Sequence, residues 1–288
     1  MGYESYSIIE KKNFDVAILL PTYCEAENIA RLIEEVENLK IYPLILVIDD
    51  SSPDGTAEIV KELQRKYSNI ILILRPSKMG LGTAITDGFK FLLSLKRPPK
   101  YIVTMDADFS HNPKDILRLI NIAKRGYDLV IGSRYCIGGK TERWNPIRVL
   151  ISKIANIFAS IILSAAVRDC TSGFRCYSLR FLRRAIKSLH SQTYEIQIET
   201  VRQAIRQGFY ITEVPITFIN RKSGRSKLTF NEIKHFISYL FKTKLEEYNL
   251  IDVCKLAALY YNKFPLTKKM NFNFFSLYLL DQNRKVLC

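Results

Sequence analysis

The stretch Tyr101-Ile102-Val103-Thr104-Met105-Asp106-Ala107-Asp108-Phe109-Ser110-His111 decides how the rest of the chain is read. Its first five residues are largely apolar on both faces and rich in β-branched or aromatic side chains, which predicts a short buried strand. Two carboxylates one residue apart, Asp106 and Asp108, then stand at the strand's C-terminal end. In open α/β sheets, ligands bind outside that end. Like charges this close repel unless a cation neutralises them, and a hard divalent ion shared with substrate phosphates is one solution. A helix-capping loop is the other reading, because Asn112-Pro113 follows and proline suits the first turn of a helix. The pair alone leaves both open.

Upstream, the same grammar repeats. Asp15 to Leu20 reads as a buried strand, closed by Pro21-Thr22-Tyr23-Cys24-Glu25, with a helix from about Ala26 to Leu39. Leu44 to Ile48 is a second strand, running into Asp49-Asp50-Ser51-Ser52-Pro53-Asp54-Gly55, and Thr56 to Tyr67 is helical with Thr56 or Asp54 as N-cap. Ile70 to Leu74 is a third strand, and Gly80-Leu81-Gly82 turns into a helix over Thr83 to Leu95. The glycines could admit a ligand to the backbone, but the simpler reading is turn chemistry. Downstream of the acidic pair come a helix, Asp115 to Lys124, and a strand, Asp128 to Ile131, ending at Gly132-Ser133-Arg134. Strands alternating with helices at this spacing predict a parallel α/β sheet. The loops at Pro21–Glu25, Asp49–Asp54, Asp106–Ser110 and Ser133-Arg134 should then share one rim. For a nucleotide, Tyr23, Glu25 and Asp50 supply an aromatic wall and hydrogen-bond acceptors. Asp49-Asp50 also fits a turn, since Ser-Pro-Asp-Gly follows, and the two roles are compatible.

Beyond Arg134 the pattern changes. A long apolar helix is expected over Ile147 to Val167, with Ser152, Asn156, Ser160 and Ser164 recurring at every fourth position. A loop at Asp169 to Gly173, helices at Leu179 to Leu189 and Glu195 to Gln207, and an edge strand or bulge at Phe209 to Phe218, with Pro215 in it, follow. Arg221 to Lys227 is a basic loop, and Phe230 to about Tyr248 an amphipathic helix. The expected layout is an N-terminal extension at 1–14, a catalytic domain at 15–246 that includes the helix 147–167, and an aromatic, basic tail at 247–288.

The chain has 288 residues and a formal charge of +15, which points to an anionic partner. Its six cysteines form no Cys-x-x-Cys pair, so reduced thiols and no zinc site are expected. The first residues lack a secretory apolar core, and Tyr6 breaks the myristoylation pattern that Gly2 begins. No spanning helix is expected, since no run of about 18 uninterrupted apolar residues occurs.

Taken together, Leu20-Pro21-Thr22-Tyr23-x-Glu25-x-Glu27-Asn28, Ile48 to Thr56 and Met105 to His111 resemble the family-2 inverting glycosyltransferases of the GT-A fold. Gly80 to Ala84, Gly132 to Tyr135, Asp169 to Arg175 and Arg221 to Leu228 narrow the resemblance to the dolichyl-phosphate mannose synthases, over about Ile18 to Phe241. The resemblance implies an α/β, Rossmann-like, mostly parallel sheet flanked by helices, with added interface helices and a C-terminal helical tail. It implies transfer of mannose from GDP-mannose to the phosphate of dolichol or another membrane polyprenol. Pro21, Tyr23, Glu25, Ile48 and Asp50 would hold the guanosine. Asp106 and Asp108 would hold Mg²⁺ or Mn²⁺ on the diphosphate, beside the Ala107 backbone. Arg134, Arg221 and Lys227 would contact the donor diphosphate or the acceptor phosphate, with Asp108 and Arg134 as the catalytic pair. Arg148 and Ser152, with Arg134, resemble the acceptor-phosphate contacts. Where some members carry Gln, this chain has Ser110, whose shorter side chain would act through water.

The residue chemistry agrees. Negative charge grows on the leaving diphosphate, and a divalent ion with nearby cations stabilises it. A phosphate monoester, with a second pKa of about 6, is already ionised at neutral pH, so no protein base is required. His111 is accordingly read as a loop or capping residue. Arginine suits an acceptor phosphate better than lysine. Because that acceptor is a lipid, the helix at 147–167 is expected to lie in a membrane interface, with a buried core helix as the alternative. The expected setting is peripheral attachment at the cytoplasmic face of a membrane, through the chain itself or a small membrane subunit. A nucleic-acid-binding role would use the charge but lacks a recognition motif and leaves the Asp pair unexplained. A UDP-sugar donor is the nearest rival within the same chemistry.

Overall fold

A computed structural model describes residues 12–220 and 238–240 of the chain. Seven strands form one sheet: β1 (Val16–Thr22), β2 (Leu44–Asp49), β3 (Ile70–Leu74), β4 (Tyr101–Thr104), β5 (Leu129–Ser133), β7 (Arg175–Ser178) and β8 (Ile211–Pro215), in the order β3-β2-β1-β4-β7-β5-β8. All neighbouring pairs are parallel except the two made by β7, which runs antiparallel to both β4 and β5. Two short strands, β6 (Lys140–Glu142) and β9 (Thr217–Ile219), pair separately and in parallel.

Helices cover both faces of the sheet, which is why its strands read as continuous apolar runs. Alternate residues of β1 and β2 feed two cores: Ala17, Leu19, Leu46 and Ile48 enter one, and Ile18, Leu20, Ile45 and Val47 the other. Helix α1 (Ala26–Glu37) buries Ile29, Leu32, Ile33 and Val36, and α4 (Asp115–Ala123) buries Ile116, Leu119, Ile120 and Ala123, the spacing of one helix face. The connecting helices α2 (Thr56–Lys66) and α3 (Leu81–Ser94) complete the alternation expected from sequence. On α3, a Cβ at Gly88 would sit 2.6 Å from Leu19 Cδ1, so only glycine lets the helix approach the sheet this closely.

Three features depart from the sequence reading. Residues 175–178, expected to lie between a loop and a helix, form the central antiparallel strand β7. Within it Arg175 is fully buried, donating from Nε to Ser172 O at 2.6 Å, from Nη2 to Cys170 O at 2.7 Å, and from Nη1 to Gln197 O at 2.5 Å and Thr200 Oγ1 at 2.7 Å. Four acceptors satisfy an arginine that would otherwise not tolerate burial. The basic helix after it is short: α6 spans Leu179–Ala185 and a 3-10 turn covers Ile186–Ser188. The long helix α5 spans Pro146–Leu163, ending before the expected Val167 because Ser164 adopts a left-handed conformation (φ 50°). Helix α7 (Ile196–Arg206) and β8 follow as expected, with Pro215 closing the edge strand β8. The expected helix at Phe230–Tyr248 lies outside the described residues but for 238–240, as do the Arg221–Lys227 loop and the tail.

Candidate functional site

The loops that leave β1, β2, β4 and β5 lie along one edge of the sheet, and hydrogen bonds sew the first two together. Thr22 Oγ1 donates to Asp49 Oδ2 at 2.9 Å, and the Glu25 amide to Thr56 Oγ1 at 3.0 Å. Asp54 joins two helices: its Oδ2 accepts from the first amide of α1, Ala26, at 3.0 Å, and its Oδ1 from the Thr56 amide at 3.1 Å. Pro21 is half-buried at this edge and Glu25 is buried, its Oε2 accepting from Asn28 Nδ2 at 3.1 Å. Tyr23 is half-buried, with Lys78 Nζ 4.5 Å from the centre of its ring. Ile48 is wholly buried in the core, which leaves its main chain as the part able to meet a ligand.

Asp50 has an inward partner that the sequence did not disclose. Arg75, 5% exposed, donates from Nε to Asp50 Oδ1 at 2.6 Å. The same guanidinium reaches Thr83 Oγ1 at 2.7 Å, Gly80 O at 3.1 Å and Asp87 Oδ2 at 3.2 Å. Asp50 Oδ2 accepts from the Met79 amide at 3.0 Å. One arginine therefore ties the end of β2 to the glycine turn and to α3. The glycines of that turn answer to a packing constraint: a Cβ at Gly80 would fall 2.5 Å from Gln192 O, and one at Gly82 would collide with Ser191 O. The backbone of the turn lies against the backbone of residues 191–192, where the Gly82 amide donates to Gln192 O at 2.9 Å.

The acidic turn leaves β4 through a tight bend, with Phe109 at φ 56°. The Asp106 side chain is 39% exposed, while Ala107 and Asp108 are buried. Ser110 donates to Asp108 Oδ1 from its amide at 3.0 Å and from its hydroxyl at 2.5 Å. That hydroxyl thus orients the carboxylate. The Asp106 amide donates to His111 Nδ1 at 3.4 Å. His111 is 1% exposed, its ring stacked on Phe174 with centroids 5.0 Å apart. Burial pushes its pKa down to about 4 against the pull of Asp108, so it is neutral at physiological pH. Among the described residues no group of three or more His, Cys, Asp or Glu side chains gathers as a metal cage. Asp106 and Asp108 present only hard oxygen donors, two in number, which suits an ion completing its shell with phosphate oxygens and water.

At the end of β5, Arg134 is 8% exposed and Asp169 not at all. Arg134 donates to Asp169 from its amide (2.9 Å) and Nε (2.8 Å) on Oδ2, and from Nη2 on Oδ1 (2.7 Å). Nη2 also reaches Thr171 Oγ1 at 2.7 Å. Tyr135, Trp144 and Phe218 surround the guanidinium, with ring centroids 5.2, 5.5 and 5.6 Å from its central carbon. Burial of Asp169 opposes its charge, but Arg134 outweighs that and holds the carboxyl below the usual range.

Helix α5 carries the remaining expected contacts. Arg148 stands 4.2 Å over the Trp144 ring and donates from Nη1 to Asn220 Oδ1 at 3.2 Å. Ser152 accepts from Tyr135 OH at 2.7 Å. One turn on, Asn156 is buried, with its Nδ2 donating to Thr171 Oγ1 at 3.0 Å and its Oδ1 accepting from the Thr171 amide at 3.1 Å. The polar ridge thus faces the protein. The other side of α5 exposes Ile147, Leu150, Ile151, Ile154, Ile157, Phe158 and Ile161, each at least 44% accessible, which excludes a buried core helix. By length and composition α5 is long and apolar enough to cross a membrane. Arg221 and Lys227 lie outside the described residues. Sequence reasoning gave no role to Arg75, Asp169 or the aromatic residues around Arg134. Arg75 carried no local signal, whereas Asp169 stood in a recognisable motif.

An open, mostly parallel sheet with an acidic turn beyond its fourth strand and cationic residues on the same edge suits a ligand that carries phosphate. The chain belongs to glycosyl transferase family 2, whose model matches residues 17–186. Among curated proteins, it is 37% identical over 219 residues to polyprenol monophosphomannose synthase of Mycolicibacterium smegmatis, covering 75% of this chain and 82% of that protein. It is 35% identical over 215 residues to undecaprenyl-phosphate mannosyltransferase of Micrococcus luteus, covering 74% and 87%. Among solved structures, glucosyl-3-phosphoglycerate synthase from Mycobacterium tuberculosis with Mn²⁺ and UDP-glucose matches at TM-score 0.56 and 17% identity, over 84% of this chain and 82% of that one. The complex of the same enzyme with Mn²⁺, UDP and glucosyl-3-phosphoglycerate matches at TM-score 0.55 and 17% identity, over 85% and 84%. These two likenesses establish a common fold.

Proposed function

We propose that this protein transfers mannose from GDP-mannose to the phosphate of a membrane polyprenol, dolichol or a close relative, with inversion at the anomeric carbon. The observation that carries the reading is a physical link: Arg134, at the acidic edge of the sheet, is hydrogen-bonded through Thr171 to Asn156 on a helix whose outer face is apolar. A site joined in this way to a greasy surface suits a substrate that is both phosphate and lipid. The names of the two curated relatives support the same chemistry.

Tyr23, Glu25, Asp50 and the backbone at Pro21 and Ile48 form the guanosine side of the site. Asp106 and Asp108, with the Ala107 main chain between them, hold Mg²⁺ or Mn²⁺, which supplies positive charge to the leaving diphosphate. Asp108 is kept in place by Ser110. Arg134, Arg148 and Ser152 receive the acceptor phosphate, and Arg221 and Lys227 serve the donor phosphates. The acceptor oxygen attacks already ionised, so the buried, neutral His111 has no proton to remove.

Helix α5 rests lengthwise in the lipid interface. Ser152 and Asn156 bind one side of it to the domain, and its isoleucines face outward. The charge of +15 adds attraction to anionic headgroups, at about 1 kcal/mol for each residue close to the surface. This gives peripheral attachment at the cytoplasmic face, aided or not by a small membrane subunit.

The test is transfer of radiolabelled sugar to a short polyprenyl phosphate in detergent. GDP-mannose and UDP-glucose are run in parallel, with and without Mg²⁺ or Mn²⁺. Metal-dependent lipid-linked mannose is the expected product. Product from UDP-glucose alone would replace the donor and keep the acceptor chemistry, and transfer undiminished by a chelator would remove the metal.

A further inference from the structure

Behind the acidic turn lies a polar side chain that the fold buries and leaves unsatisfied. Gln197, in the first turn of α7, is 2% exposed. Its Oε1 has no hydrogen-bond partner among the described residues. Its main chain is fixed, because Gln197 O accepts from Arg175 Nη1 at 2.5 Å. A buried carboxamide oxygen without a partner is costly, and native structures seldom retain one without a use.

Its position suggests that use. A Cβ built on Gly173 would stand 3.5 Å from Gln197 Nε2 and 3.5 Å from Asp106 Oδ1. Gln197 Nε2 and the Asp106 carboxylate therefore border the same spot, which a side chain at position 173 would fill. Gly173 is itself anchored, with its carbonyl accepting from Thr104 Oγ1 at 2.9 Å. A group entering here beside Asp106 meets a neutral donor, Gln197 Nε2, and an acceptor, the Asp106 carboxylate. Such a pair suits a hydroxyl, which both accepts and donates one hydrogen bond.

We propose that Gln197 binds a hydroxyl of the hexose being transferred, and so selects the sugar of the donor; this rests on the sugar-nucleotide reading above. It concerns the sugar and leaves the nucleotide contacts to the β1 and β2 loops.

The test uses the full-length protein, Gln197→Met and Gln197→Glu, with GDP-mannose and its singly deoxygenated analogues. The wild type is expected to lose about 100-fold or more in kcat/KM on one analogue, since a site built for a hydroxyl is left unpaired without it. Gln197→Met should use that analogue and GDP-mannose equally well, within about threefold, through loss of rate on GDP-mannose. GDP binding by titration calorimetry should stay within about twofold in both variants. The thermal midpoint of Gln197→Met should equal or exceed that of the wild type, because an unpaired buried amide oxygen has been removed. Full wild-type rate and discrimination in Gln197→Met would overturn the proposal, as would a loss of GDP affinity equal to the loss of transfer. A fall in midpoint would assign Gln197 to packing. Absence of transfer by the wild type from every nucleotide sugar would instead overturn the sugar-nucleotide reading itself.

Discussion

Asp169 is buried completely, and both of its oxygens are taken by Arg134, at 2.8 Å from Nε and 2.7 Å from Nη2. The arginine expected to meet a phosphate is thus already paired with a counter-charge from within. Among the described residues Nη1 takes no part in the pairing. Asp169→Asn would leave Arg134 buried without its counter-charge, and breaking such a pair costs about 3–5 kcal/mol. Urea unfolding should register that loss. Lipid transfer should fall by about 100-fold or more while GDP affinity changes little; a variant within about 1 kcal/mol of the wild type would remove the pair from the account of stability.

The two aspartates of the acidic turn should respond alike to metal. Asp108→Asn should abolish metal-dependent donor binding and lower turnover by about 1000-fold, with the fold intact. Calorimetric titration of GDP with and without Mn²⁺ measures this, and near-normal rates in the variant would sink the metal assignment. Arg134→Ala should depress transfer more than free-GDP binding; an equal loss of both would move Arg134 to the nucleotide side.

Arg75 joins Asp50, Gly80, Thr83 and Asp87, four partners on three chain segments. Arg75→Met should destabilise the protein by about 3 kcal/mol, because Asp50 is left buried without its cation. Nucleotide affinity should fall with it as the turn at 78–82 loosens. Arg75→Lys should recover little, since one ammonium cannot replace the fork. Thermal unfolding and GDP titration together decide, and full function in the lysine variant would show that charge alone suffices.

Acid should weaken the contact of β5 with α6 and β8. Burial would raise the Asp128 pKa, but hydrogen bonds from Arg180, Ser178 and the Tyr210 amide outweigh it and hold the carboxyl below its usual value of 3.8. A carboxyl depressed on folding contributes stability that is fully present above its unfolded pKa and lost as pH falls through the lower, folded one. The stability gap between wild type and Asp128→Asn should therefore be flat from neutral pH down to about 5 and close below about 4. Denaturation followed across that range tests it, and a gap that persists at the acid end would show that the carboxylate's charge is not what matters.

The outer face of α5 should bind lipid without supporting the fold. Ile154 and Ile157 are 57% and 60% exposed. Replacing both with Glu should shift the thermal midpoint by no more than about 2 °C and cut sedimentation with anionic vesicles by about tenfold or more. Unchanged vesicle binding would exclude α5 as the attachment surface.

How much of this could be read in advance depended on the kind of interaction. Val16–Thr22, Leu44–Asp49 and Ile70–Leu74 were legible because buried parallel strands are continuous apolar runs closed by turn residues, and α1 and α4 because their apolar spacing is helical. The convergence of Tyr23, Asp50, Asp106 and Arg134 on one edge followed from strand alternation alone. By contrast, Arg175-Cys176-Tyr177-Ser178 has no apolar run to announce a strand. It becomes one because a slot between β4 and β5 accepts its backbone antiparallel. Arg75 and Asp50 lie 25 residues apart, and neither neighbourhood names the other.

Helix α5 draws the line most clearly. Its period was written in the sequence: Ser152, Asn156 and Ser160 along one ridge and isoleucines around it. Periodicity records that a helix has two faces, but not which one meets the protein. The tertiary structure decided that, because Tyr135 and Thr171 offer hydrogen bonds to the polar ridge, and the apolar face is left exposed. The sequence by itself determined the family, the parallel strands and the turns that close them, since these depend on local runs and short motifs. Only the folded chain determined the partners of Asp50, Arg134 and Asn156 and, among the described residues, the unpaired Oε1 of Gln197, since these depend on what distant segments bring to the same place.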